Sequence, residues 1–148
     1  MPSIIPGYVY TLVASIIVGT LLIYSFDVST VGIKNEAEKQ QLINIAEYVA
    51  VKSCELISAT TANNLSASVS LDIPSLVGNE RYWIQLGNDS SSAWVESGYG
   101  TTVFSTDLQV SVPSAVLASG VYVSDSGSPV LECSANGTGT YLQLIGGE

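Results

Sequence analysis

Twenty-three consecutive residues near the start of the chain, Ile4 to Phe26 (IIPGYVYTLVASIIVGTLLIYSF), carry no charge, and Asp27 ends the run. At a rise of 1.5 Å per residue, roughly 20 such residues cross a hydrocarbon core of about 30 Å. Pro6 and Gly7 are poor helix formers, so regular helix is expected from about Tyr8. Tyr8, Tyr10 and Tyr24 fall near the two ends, where interfacial aromatics belong. Small residues recur at Ala14, Ser15, Gly19 and Thr20, and Ser15 with Gly19 makes a small-xxx-small pair that lets helices approach closely. The run lacks the basic n-region of a secretory signal, is too long for an h-region and is followed by no Ala-x-Ala site. Two readings are open for it: a plain single-span anchor, or a helix that packs against copies of itself.

Helical pattern continues beyond the uncharged run. Val28 to Thr60 contains no proline, and only Gly32 is a weak point. Leu42, Ile45, Ala46, Val49, Ser53, Leu56 and Ile57 fall on one helical face, with Lys34, Glu38, Lys39, Glu47 and Lys52 around the rest. The spacing predicts one helix, or two collinear pieces hinged near Gly32, from about Tyr8 to about Ala59. Residues 1–26 are its apolar part and 27–60 its amphipathic continuation, which calls for a partner surface on one side only.

From 61 onward the period changes to two. Ala67, Val69, Leu71 and Ile73 alternate with Ser68, Ser70 and Asp72, the pattern of a half-buried strand that stops at Pro74. Further strands are expected at 82–86, 93–96, 101–104, 108–112, 121–123, 130–133 and 141–145. Polar turns such as Asn88–Ser92 and Asp125–Pro129 separate them. Trp83 and Trp94 lie on the two arms of a hairpin, where cross-strand packing between them is expected. Seven or eight short strands at this spacing predict an antiparallel sandwich or meander of about 80 residues. A domain that small has a marginal core of its own, and the apolar stripe of 42–57 is suited to cover an open sheet face. The fold expected is α+β.

Charge narrows the function classes. The net charge is −9, and between Ser66 and Glu148 eight acids stand against Arg81 alone. Nucleic-acid binding needs clustered Lys and Arg to displace counterions, so it is set aside. The chain has no histidine, which removes the usual general base and the commonest metal ligand. The acids are scattered one per strand or turn, unlike a converging carboxylate pair. Asp89, Asp107 and Asp125 sit singly in loops without EF-hand spacing, and no serine has a base to activate it. No catalytic residue, cofactor site or metal site is assigned, and a non-enzymatic role is expected.

Two features bear on the compartment. Cys54 and Cys133 lie far apart and in no metal-ligand spacing. In an oxidising compartment they suit a disulfide stapling helix to sheet, worth about 4–5 kcal/mol on the loop-entropy model; otherwise they are two separate buried thiols. Three Asn-x-Ser/Thr sequons, at Asn64, Asn88 and Asn136, fall in turns or at element boundaries after the hydrophobic run. They are glycosylation candidates only on the exported side. Lys34 and Lys39 are interleaved with Glu36 and Glu38, so the positive-inside rule gives little help, and an outside location for 61–148 rests on the sequons and cysteines.

A long N-terminal helix, apolar then amphipathic, followed by a small β-domain resembles the plan of the type IV pilin superfamily. The neutral Ser/Thr-rich surface, the sequons and the scarcity of Lys are similar to its archaeal branch of adhesion pilins, archaellins and archaellum stator proteins. The resemblance covers the whole chain in architecture, and its specificity lies mainly in Tyr8–Ala59. It implies a structural subunit of an extracellular filament, inserted in the membrane before assembly and polymerising through Ala14, Ser15, Gly19 and Thr20. The β-domain would then face outward for adhesion or surface contact. The alternative it implies is a membrane-anchored, non-polymerising module that contacts the surface layer. Two departures stand beside it. Met1-Pro2-Ser3 is not the short basic leader of a pilin precursor, so the chain is read as mature or unprocessed. Ile4, Ile5 and Pro6 occupy the region where bacterial pilins place a glutamate.

Overall fold

A computed structural model describes residues 5–89, 91–104, 108–112, 116–137 and 139–146. Ser90 and Thr138 of the sequons, and Asp107, lie outside the described residues. The structure is α+β. Helix α1 runs Ile5–Asn63 and is followed by eight strands among the described residues: β1 Ser66–Ser70, β2 Tyr82–Asn88, β3 Ala93–Tyr99, β4 Gln109–Val112, β5 Leu117–Ser119, β6 Val121–Val123, β7 Val130–Asn136 and β8 Gly139–Ile145. The chain divides into two compact units, residues 1–37 and 38–148.

In the first unit α1 is regular and passes through Gly32 without a break. Four of its hydroxyls bond back to carbonyls within the helix. Thr11 Oγ1 donates to the Gly7 carbonyl at 3.1 Å, Ser15 Oγ to Thr11 at 2.8 Å, Thr20 Oγ1 to Ile16 at 2.8 Å and Thr30 Oγ1 to Phe26 at 2.8 Å. Such back-bonding hides polar hydrogens that would otherwise need water or a partner.

The second unit holds the rest of α1 and both sheets. One sheet has the order β1-β7-β8-β5 and the other β4-β3-β2-β6. All pairings are antiparallel except β5 with β8, which is parallel. The predicted stripe is buried in full: Leu42, Ile45, Ala46, Val49, Ser53, Leu56 and Ile57 are all inaccessible or nearly so. They share one apolar cluster with Tyr82, Ile84, Leu86 and Val95 of one sheet and Leu131, Leu142 and Leu144 of the other. Alternation along each strand sends these residues inward and their neighbours outward. Ser53 is tolerated in this core because its hydroxyl donates to the Val49 carbonyl at 2.7 Å. Tyr82 is likewise buried with its hydroxyl donating to the Pro74 carbonyl, and burial pushes its phenol well above the ordinary tyrosine range.

The helix ends in a left-handed cap. Asn64 has φ 55°, and the Leu65 amide donates to the Thr60 carbonyl at 3.2 Å. This is the six-to-one bond of a Schellman motif, and asparagine is one of the few residues other than glycine that adopts the conformation readily. The β2–β3 turn is held by Asp89, whose Oδ1 accepts from the Ser91 and Ser92 amides at 2.8 and 2.7 Å. These two bonds, aided by the serine hydroxyls, hold the Asp89 carboxyl below its usual range.

Three local expectations are corrected. Residues 101–104 form no strand; they fold back so that Phe104 meets the buried Trp83 edge-on at a centroid distance of 5.9 Å. The two tryptophans do not pack on each other. The β2–β3 register places Trp83 opposite Gly98 and Trp94 opposite Gly87. That is four residues apart on one face, or about 13 Å along the strand, and each indole covers a glycine instead. The third is β5, Leu117–Ser119, a strand the sequence pattern does not predict.

β5 and β6 are one extended segment bent at Gly120, with β5 in one sheet and β6 in the other. Gly120 has φ +124°, and a Cβ there would lie 2.2 Å from the Leu144 carbonyl oxygen. Its own carbonyl accepts from the Leu86 amide at 3.0 Å. Such corner strands join the edges of a sandwich, and only glycine fits this one. Gly120→Ala is therefore expected to destabilise the folded chain by about 2–4 kcal/mol. Gly100→Ala, at φ +90° with open space around it, should lose only about 1–2 kcal/mol. Urea unfolding followed by tryptophan fluorescence measures both, and equal losses would refute the corner argument.

Candidate functional site

The largest unsatisfied feature of the chain is the surface of α1 in the first unit. Every residue from Gly7 to Ala37 whose side chain is described is exposed, apart from Gly19, which is partly covered. Exposure does not fade along the stretch: Tyr8 is 73% and Ile33 72% exposed, with Leu12, Ile16, Leu21, Ile23, Phe26 and Val31 between them. By length and composition this is a helix able to cross a membrane. Monomeric soluble proteins rarely leave apolar patches of this size open.

The exposed apolar surface outruns the uncharged run. Tyr8 to Phe26 corresponds to about 28 Å of helix, close to a hydrocarbon core, whereas Tyr8 to Ile33 is about 39 Å. Val28, Val31 and Ile33 are exposed beyond Asp27. Lipid could cover all of them only with a tilt of about 40°, the limit of the usual range, and with Asp27 held in hydrocarbon. The proposed self-packing residues Ala14, Ser15, Gly19 and Thr20 lie within this stretch, and a Cβ built on Gly19 meets nothing within 4 Å. The approach face is open.

The thiols are not joined. Both cysteines are free, and the disulfide reading is corrected. Cys133, buried on β7, has its sulfur 3.1 Å from Thr60 Oγ1, so the helix residue facing it is Thr60. Cys54 lies six residues earlier, about 9 Å along the axis and 120° around it. It borders an apolar groove of about 600 Å³ between α1 and β4, lined by Ala50, Val51, Val110 and the edge of Glu55. Partial burial pushes its thiol up.

Of the three sequons, Asn64 and Asn136 are exposed and Asn88 is half-buried at the end of β2. The Ala135 amide donates to the Leu65 carbonyl at 3.2 Å, and Ser66 pairs with Ser134. The register thus brings Asn64 and Asn136, which are 72 residues apart in sequence, to the same end of one sheet. Sequence reasoning placed both in turns and missed this convergence, which depends on the β1–β7 pairing.

Also missed was a trough of about 300 Å³ on the outer face of the β1-β7-β8-β5 sheet, among Ser66, Ser68, Glu132, Ser134, Tyr141 and Gln143. Its signal was the outward-pointing half of the β7 and β8 alternation. Among the described residues no group of three or more metal-ligating side chains converges. Comparison with family models, with curated proteins and with solved structures found no match.

Free thiols make a simple prediction. The chain should migrate identically with and without reductant. In the folded protein Cys54 should react with a maleimide slowly and Cys133 only after unfolding, because the raised pKa keeps Cys54 thiol-rich and Cys133 is buried. A Cys54–Cys133 linked peptide in a non-reducing digest would contradict the assignment.

Proposed function

We propose that the protein is a structural subunit that polymerises through residues 8–33 of α1 into a filament, with the 38–148 unit displayed on the outside. The observation that carries this reading is the exposed apolar surface continuing past Asp27 to Ile33, which fits neighbouring helices better than a bilayer. Neighbouring copies impose no fixed thickness, so such a surface can be covered along its whole length. Back-bonded hydroxyls at Thr11, Ser15, Thr20 and Thr30 keep these four donors paired when helices approach closely. A head-to-tail contact between identical helices that does not close on itself generates a helical filament. This reading agrees with the resemblance to archaeal type IV pilins, and it places the chain in the membrane before assembly and at the cell surface after it.

The competing reading is a permanent single-span anchor carrying an outward binding module. Gly19→Leu separates the two. Nothing within the chain obstructs a side chain at Gly19, so the monomer should fold as before, with unchanged circular dichroism in detergent. Filament yield should fall to background, because a leucine there holds neighbouring backbones apart. Normal yield would remove close self-packing at this position and favour the anchor.

A further inference from the structure

The outer face of the β1-β7-β8-β5 sheet is built in two cross-strand rows. Ser66 pairs with Ser134 and Ser134 with Tyr141; Ser68 pairs with Glu132 and Glu132 with Gln143. All six side chains point away from the core, because their strand neighbours Leu131, Cys133, Leu142 and Leu144 are buried. The rows stand about 7 Å apart along the strands, and the three strands span about 10 Å. Serines make the floor low. Tyr141, 42% exposed, rises at one side, and the longer Glu132 and Gln143 rise along the other row. The result is the trough of about 300 Å³, at the lower end of the range of small-ligand sites.

Its chemistry selects a ligand class. These six side chains, with Ala67 and Cys133 completing the lining, offer hydroxyls, one amide, one carboxylate and one aromatic ring, and no Lys or Arg. Phosphate, nucleic acid and acidic sugars need cations, and the chain's basic residues are elsewhere: Arg81, for example, pairs with Asp125 at 2.9 Å. A single carboxylate does not hold a divalent metal. A peptide strand would add in the plane of the sheet, at the β1 or β5 edge, and not across this face, since β7 and β8 each have partners on both sides. A pyranose matches every part. Its apolar C–H face stacks on an aromatic ring, while its hydroxyls both donate and accept.

We propose that this trough binds a neutral oligosaccharide from outside the chain, with Tyr141 as the stacking platform and Glu132, Gln143 and the serines as hydrogen-bond partners to the sugar hydroxyls. Affinity is modest and relies on repetition, because a filament would present many copies and multivalent engagement multiplies weak contacts. Binding by the single trough does not depend on polymerisation.

The test uses the full chain in mild detergent, titrated calorimetrically with maltohexaose, cellohexaose, mannohexaose and chitohexaose. Saturable, millimolar-or-tighter binding of at least one is expected. Tyr141→Ala and Ser134→Arg should each weaken it about tenfold or more, with unchanged unfolding midpoints since both side chains are exposed. Gln109→Ala, on the other sheet, should leave binding intact. No binding of any of the four sugars, or equal binding by the Tyr141 and Ser134 variants, overturns the proposal. Binding that appears only after enzymatic removal of N-glycans would assign the trough to the chain's own sugars at Asn64 or Asn136, and overturns it too.

Discussion

The 38–148 unit depends on the burial of one helical stripe. Leu42, Ile45, Ala46, Val49, Leu56 and Ile57 share a single apolar cluster with the inward faces of both sheets. Sheets of four short strands have little core between them, and a domain of this size is marginal without added cover. The helix supplies that cover. Each fully buried Leu or Ile contributes roughly 1.5–3 kcal/mol, so a stripe of six apolar side chains is of the same order as the net stability of a small domain. Cys54 and Cys133 are not joined, and Cys133 contacts Thr60 of the helix instead. Apolar packing and the Thr60–Cys133 contact hold the joint.

That arrangement divides the labour of α1. From residue 38 onward it is a core element with one buried face. Before residue 38 the same helix exposes apolar side chains on every face. Nearly every described side chain of this part is exposed. Its length underlies the proposed covering: a bilayer matches residues 8–26, whereas the exposed apolar surface reaches Ile33. The β-rich unit adds a hydroxyl-rich sheet face with a single carboxylate, Glu132, and no basic residue.

Much of this was legible in the sequence because the signals were long. The helix, its apolar and amphipathic parts and the buried stripe follow from 3.6-residue periodicity sustained over many turns. Most strands followed from alternation. What was not legible depended on pairing. Whether Trp83 meets Trp94 or a glycine is set by the β2–β3 register, and whether Cys133 faces Cys54 or Thr60 is set by how the sheet sits on the helix. Residues 101–104 read as a strand because Thr, Val and Phe favour one, yet Phe104 instead covers Trp83; tertiary packing overrode local preference. The trough on the β1-β7-β8-β5 sheet was invisible for the same reason: its lining comes from three strands whose order no local pattern encodes.

The central claim is that copies of the chain, and not lipid, cover the apolar surface of α1. Cryo-electron microscopy of filaments sheared from cells expressing the chain tests it most directly. The account predicts filaments whose core is a bundle of these helices, with residues 8–33 in contact with neighbouring copies and the 38–148 unit on the outside. Recovery of the protein only from membranes, as a monomer or dimer with residues 8–26 in lipid and no filament at the surface, would contradict it.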